Sequence, residues 1–285
     1  MPRRRLRPLK TPHMDFNNSQ IERYSRHIIL REVGGEGQAR LLGASVLVVG
    51  AGGLGAPLLL YLAAAGVGRI GIVDDDTVEL SNLQRQVVHD MTSLGVPKVD
   101  SAAARMRAIN PDVVVEAHRT RLGPGNVRDL VRAYDIVADG SDNFATRFLL
   151  NDACYFERRT LVSAAMLRFD GQISTFKAYL GKAHEGHPHP CYRCVFPEPP
   201  PPGLVPSCSE AGVLGALAGT IGSLQALEVL KELLGIGDSL SGRLMLYDAL
   251  GASFRTVRVK PDPDCPLCGG HPTITGLPGE DGHGH

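Results

Sequence analysis

The chain has no net charge: 30 lysines and arginines stand against 30 aspartates and glutamates in 285 residues. Without a positive balance, a general electrostatic role on nucleic acid is excluded. An uninterrupted apolar run of membrane length is also missing. The most apolar long stretch, 204–234, is broken by Ser209, Glu210, Gln225, Glu228 and Lys231, so it is expected to be a core helix and not a membrane span. No apolar signal region follows the basic start, where Pro2 to Lys10 carries five basic residues. That start, 1–18, reads as a disordered tail. No internal repeat is present. Without a secretion signal, the six cysteines point to a reducing cytoplasm rather than to a disulfide framework. The length is ample for a full core.

What is present begins at Ser45, in SVLVVGAGGLGAPLLLYLAAAGVGRIGIVDDD. Val46 to Val49 is a β-branched run of the kind buried on both faces of a sheet. Gly50-Ala51-Gly52-Gly53-Leu54-Gly55 is a glycine turn. Leu54 to Ala65 carries no charge and reads as a buried helix stopped by Gly66, and Arg69 to Val73 is a second strand. Gly50, Gly52, Gly53 and Gly55 let backbone N–H groups and a helix N-terminus approach an anionic phosphate. Asp74 follows about twenty residues on, where a carboxylate can accept hydrogen bonds from ribose hydroxyls. The turn alone does not choose between NAD, FAD and ATP.

On either side the pattern continues. Residues 19–31 read as a helix with Ser19 as N-cap, Glu22 three residues on, and Ile21, Tyr24 and Ile28 on one face. Arg23, Arg26 and Arg31 lie mostly off that face, as solvated charges or with one of them on a phosphate. Helices over 99–109, 127–133 and 144–157 alternate with strands over 113–116, 135–138 and 160–164. The result is a Rossmann-like α/β fold, a mostly parallel sheet with helices on both faces. Antiparallel strands over 171–179, 243–247 and 253–259 extend it. Asp74 and the group Asp139 to Asp142 stand at strand ends and are expected to converge.

Cys191/Cys194 and Cys265/Cys268 are two C-x-x-C pairs, a four-sulfur set of the kind that holds structural zinc. All four coordination positions are then filled, so no catalysis is expected there. Cys154 lies in an apolar helix and reads as core. His184, His187 and His189 sit among glycines and prolines and read as loop residues.

Arg23-Tyr24-Ser25-Arg26-His27-Ile28, the glycine turn, Asp74-Asp75-Asp76, Ser81-Asn82-Leu83-Gln84-Arg85-Gln86, Gly95-Val96-Pro97-Lys98, Ser141-Asp142-Asn143, the two cysteine pairs and Gly222-Ser223-Leu224-Gln225-Ala226 occur in one order. In that order the chain resembles the MoeB/ThiF/HesA family, bacterial relatives of ubiquitin-activating enzymes, from about Ser19 to Cys268. The piece from Cys191 to Gly212 is most similar to the molybdopterin-synthase branch. The rhodanese-like C-terminal domain of some members is not seen.

The resemblance implies ATP-dependent adenylation of the C-terminal glycine of a ubiquitin-fold sulfur carrier ending in Gly-Gly. Pyrophosphate leaves, and the product is prepared for thiocarboxylate formation in molybdopterin, thiamine or tRNA-thiolation pathways. It implies that Asp74 binds ribose, that Asn82, Arg85 and Lys98 contact phosphates, and that Asp142 holds Mg²⁺. Gln86 belongs to the same pocket. Arg26 reaches the neighbouring subunit's site, which implies a homodimer. A sulfurtransferase or cysteine desulfurase is a further implied partner. Cys208 is left between two roles, a covalent participant and a bystander thiol. The resemblance implies one adenylation domain over 19–270, with a nucleotide-binding core over 44–165 and a carrier-binding and zinc part over 166–270. A disordered tail is expected over 271–285. Two other readings stand beside this one: an NAD-dependent oxidoreductase, and a zinc-containing scaffold without catalysis.

Overall fold

The structure, a computed structural model, describes residues 16–181, 189–201 and 211–279. Cys208, His184 and His187 lie outside the described residues. Two helices, α1 (Asn18–Ile28) and α2 (Gly34–Gly43), lead into β1 (Ser45–Val49), α3 (Gly55–Ala65) and β2 (Arg69–Val73). Then follow α4 (Lys98–Ile109), β3 (Val114–His118), α5 (Pro124–Arg132), β4 (Ile136–Asp139), α6 (Phe144–Phe156), β5 (Thr160–Leu167) and β6 (Asp170–Phe176). The single turn α7 (Tyr192–Val195), the long helix α8 (Gly215–Leu234) and the hairpin β7 (Arg243–Asp248) and β8 (Ser253–Arg258) complete the order.

Among the described residues, eight strands join one sheet in the order β3-β2-β1-β4-β5-β6-β7-β8. Pairing is parallel from β3 to β5 and antiparallel from β5 to β8. The chain leaves β1 towards β2 and β3 on one side and later returns to β4 and β5 on the other. That reversal opens a crevice at the carboxyl ends of β1 and β4. In register, Val49 faces Val73 on one side and Asp139 on the other. The residues that follow these three strands therefore meet at one rim, as the strand ends predict.

The uncharged helix α3 is mostly buried, with Leu58, Leu59 and Leu62 fully so, while Tyr61 is 56% exposed. Close approach needs glycine at two points. A Cβ on Gly55 would stand 1.9 Å from the Gly50 carbonyl oxygen, and one on Gly222 would stand 2.4 Å from that of Leu54. The first lets α3 start directly over β1; the second lets α8 pack on α3. The 204–234 stretch is accordingly a core helix where it is described. Its polar residues are used inside: Gln225 donates from Nε2 to the carbonyls of Asp139 and Val162, and Glu228 accepts from Thr175 Oγ1 and the Leu240 N–H.

Two local expectations differ. Helix α1 is capped by Asn17, in a reciprocal box with Gln20, and not by Ser19 with Glu22. Both pairs have capping-box spacing; Asn17 starts the helix two residues earlier. On that helix Tyr24 is buried, while Ile21 is 49% exposed. The expected tail over 271–285 also contains structure: Leu277 is 1% exposed and joins the apolar cluster of Val127 and Phe148. Leu277 and Ile274, which packs on the cysteine cluster, are the two large apolar side chains of this segment, and burial anchors it.

Candidate nucleotide and metal sites

The glycine turn follows β1 and bends sharply at Gly50, where φ is +92°. A Cβ there would crowd the Gly140 carbonyl oxygen at 3.0 Å, so the turn touches the end of β4. Asp74, at the end of β2, grips the turn from the other side. Its Oδ2 accepts from the Ala51 N–H at 2.8 Å and its Oδ1 from the Asp76 N–H at 2.9 Å. Burial raises the Asp74 pKa from its ordinary value, against the opposing pull of Lys98 and these two N–H groups.

Residues 79–94 form an excursion closed at its neck. The Val78 N–H donates to Val96 O, the Gly95 N–H to Val78 O and the Lys98 N–H to Asp76 O, each at 2.9 Å. Closing the neck puts Lys98 at the start of α4, beside the β2 end. Its Nζ is 2.7 Å from Asp76 Oδ2, with the lysine side chain 8% exposed and the aspartate 67%. Inside the excursion a 3₁₀ turn at Leu80–Asn82 is braced by the Asn82 side chain, which accepts from the Glu79 N–H. Arg85 donates to the Ser81 carbonyl. Gln86 is buried against Gly52, and its Oε1 has no hydrogen-bond partner in the structure. A buried acceptor left over at the turn fits a ligand that brings a donor.

Across β1, the base of the Asp142 loop is rigid. Asp139 is fully buried and accepts from the Ser141 N–H, Ser141 Oγ and Ser163 Oγ. Arg147 Nη2 donates to Ser141 O. Asn143 caps α6 through the Thr146 N–H. Between these fixed neighbours Asp142 is itself exposed at the crevice rim, a fit for a hard cation that keeps several waters and takes one or two carboxylates.

Arg26 is not brought to this rim. Tyr24, beside it on α1, packs on Gly66 and bonds Asn110, and Arg23 donates to the Ile109 carbonyl. Those contacts are at the C-terminal ends of α3 and α4, whereas the glycine turn and Lys98 are at their N-terminal ends. Eleven residues of α3 put about 16 Å between the two ends.

The four paired cysteines do converge. Sγ separations are 3.8 Å for Cys191–Cys194, 3.5 Å for Cys191–Cys265, and 3.4 Å for both Cys194–Cys268 and Cys191–Cys268. Disulfides need about 2.05 Å. A tetrahedron with metal–sulfur bonds of about 2.3 Å has edges of about 3.8 Å, so the donor set fits zinc. The knuckle is riveted to α6: Arg193 grips Asp152 with two hydrogen bonds of 2.8 and 2.7 Å, and the Tyr192 N–H donates to Asn151 Oδ1. Cys154 is buried, as expected of a core residue, and His189 bonds Ser241 Oγ and is no part of the cluster.

The ThiF family profile matches residues 24–267. The chain belongs to the ThiF family. Among its relatives is the SAMP-activating enzyme E1 of Haloferax volcanii, 54% identical over 256 residues, 90% of this chain and 92% of that one. A second is the sulfur carrier protein adenylyltransferase of Thermus thermophilus, 53% identical over 260 residues, 91% of this chain and 95% of that one. A solved structure, Escherichia coli MccB with MccA-N7isoASN, shares the fold with a TM-score of 0.76 at 19% identity, covering 88% of this chain and 76% of that one. Within this ThiF-family chain, sequence reasoning missed His89, Ser101, Arg147 and the Arg193–Asp152 pair. None belongs to a recognisable motif: His89, Ser101 and the Arg193–Asp152 pair act through tertiary contacts, and Arg147 reaches back six residues to the Ser141 carbonyl.

Proposed function

We propose that this ThiF-family chain is an adenylyltransferase that activates the C-terminal glycine of a ubiquitin-fold sulfur carrier ending in Gly-Gly. One observation carries the reading. Asp74, the glycine turn, Lys98 and the Asp142 loop share one crevice rim, on a chain 53% identical over nearly its full length to a sulfur carrier protein adenylyltransferase. The oxidoreductase and scaffold readings have no comparable support.

In this reaction the carrier's terminal carboxylate oxygen attacks the α-phosphorus of ATP. An O–P bond forms, the bond to the β-phosphate bridging oxygen breaks, and pyrophosphate leaves with that electron pair. The protein's task is charge control and positioning. Asp74 accepts from the ribose hydroxyls. Asn82, Arg85 and Lys98 hold phosphate oxygens, with Lys98 exchanging Asp76 for phosphate. Gln86 supplies its spare acceptor to the nucleotide. Asp142 would hold Mg²⁺, which when bound neutralises part of the triphosphate charge. Cys191, Cys194, Cys265 and Cys268 would hold Zn²⁺ as a structural tie. Arg26 completes the site of a second copy, making the active form a homodimer. Residues 19–270 act as one adenylation unit, with one eight-stranded sheet running through it.

Asp142→Ala should lower adenylate formation by at least about a hundredfold, on the scale of losing one transition-state stabiliser. Fold and zinc content should not change. Near-normal turnover in that variant contradicts the assignment.

A further inference from the structure

His89 is a buried polar side chain outside the motifs discussed above, 6% exposed. Its Nε2 lies 3.0 Å from the Ala51 carbonyl oxygen and its Nδ1 2.8 Å from Ser101 Oγ. A carbonyl only accepts, so Nε2 carries the proton. Nδ1 then accepts from the Ser101 hydroxyl. Burial holds this ring in the neutral form, lowering its pKa, and the nearby Lys98 charge acts in the same sense against the Ala51 bond and Asp90.

The two bonds join three separate elements. Ala51 is in the glycine turn, and its N–H is already held by Asp74. Ser101 is on the first turn of α4, three residues after Lys98 and so on the same helix face. His89 lies within the excursion that carries Asn82, Arg85 and Gln86, its N–H donating to Gln86 O. Together with the Lys98–Asp76 pair, these contacts close a ring that runs Asp74, Ala51, His89, Ser101, Lys98, Asp76 and back along the chain.

We propose that His89 is a positioning residue for the nucleotide: through the Ala51 carbonyl and the Ser101 hydroxyl it sets the glycine turn, the phosphate-contacting excursion and Lys98 at fixed separations. It touches no substrate itself. This inference rests on the ATP reading of the site. If His89 only stabilised the fold, its loss would lower the melting temperature without changing nucleotide affinity.

The test uses the full, zinc-loaded chain as wild type, His89→Gln, His89→Asn and His89→Leu, with Mg-ATP binding measured by calorimetry beside kcat and KM. A glutamine amide reaches the Nε2 position and keeps the donor to Ala51; an asparagine amide reaches only the Nδ1 position beside Ser101, and leucine has neither, so the Gln–Asn comparison isolates the bond to the glycine turn. Asn and Leu should weaken Mg-ATP by about fivefold to tenfold, the scale of one lost hydrogen bond, while Gln stays within about twofold. The loss should appear in KM for ATP and not in KM for the carrier. Should the Leu variant not fold, the Gln and Asn pair decides. Equal Mg-ATP affinity in all folded variants, or a Gln variant as weak as Asn, overturns the inference while leaving the function intact. Absence of Mg-ATP binding in wild type contradicts both.

Discussion

Asp74 combines a structural and a binding task in one carboxylate. It is bonded to two backbone N–H groups, and burial lifts its pKa above the ordinary 3.8. A raised carboxylate pKa means that the folded chain binds this proton more tightly than the unfolded chain does. The stabilisation from protonation is complete below the unfolded-state pKa and is lost as pH rises through the folded value. Ribose recognition needs the opposite form, with both oxygens accepting. Mg-ATP affinity should therefore fall as pH drops through the raised pKa, and calorimetry against pH reads this directly. Asp74→Asn should bind weakly and lose that acid limb; the same limb in the Asn variant would contradict the role. At this scale the sequence was legible where chemistry follows a motif. Asp74, the glycines and the four cysteines could be placed because their spacing is local. His89 between Ala51 and Ser101 was not legible, since its contacts join elements brought together only by the fold; Arg147 is only six residues from Ser141 but belongs to no motif, and Gln86 could be placed in the pocket without its unpartnered Oε1 being foreseeable.

Among the elements, the strands and helices of the parallel half were readable from period and glycine position. Uncharged α3 and β-branched β1 have little alternative to double-sided burial. The start of α1 is ambiguous in the sequence because two capping boxes fit the same stretch, and the fold takes the one at Asn17. The zinc knuckle shows how one element depends on another. Turn α7 has four residues and cannot stand alone, so it relies on the cysteines and on α6. The Arg193 and Asp152 side chains are 16% and 6% exposed, and Arg193 also lies over the Phe148 ring. Removing the guanidinium leaves a buried carboxylate without its partner. Arg193→Met should cost roughly 3–5 kcal/mol, measured by denaturant unfolding. The double variant Arg193→Met, Asp152→Leu should recover much of that loss. Unchanged stability in the single variant would show that the pair does not hold the knuckle.

For the whole molecule, the placement of α1 at the far ends of α3 and α4 separates Arg26 from the crevice of its own chain, and the proposed homodimer is what would bring it to a site. Arg26→Ala and Asp142→Ala chains should each be inactive alone. Mixed and allowed to exchange subunits, they should regain activity, because one site of each heterodimer then has both residues. Random 1:1 pairing gives about a quarter of wild-type turnover. No recovery despite proven exchange contradicts a shared site. Above this stands the claim that the chain adenylates a carrier. ATP–pyrophosphate exchange, run on zinc-loaded protein with carriers ending in Gly-Gly, tests it most directly. Rapid exchange of labelled pyrophosphate into ATP is expected only when an intact carrier is present, and removal of the carrier's terminal glycine should abolish it. No exchange with any intact carrier, from folded protein that binds Mg-ATP, would contradict it.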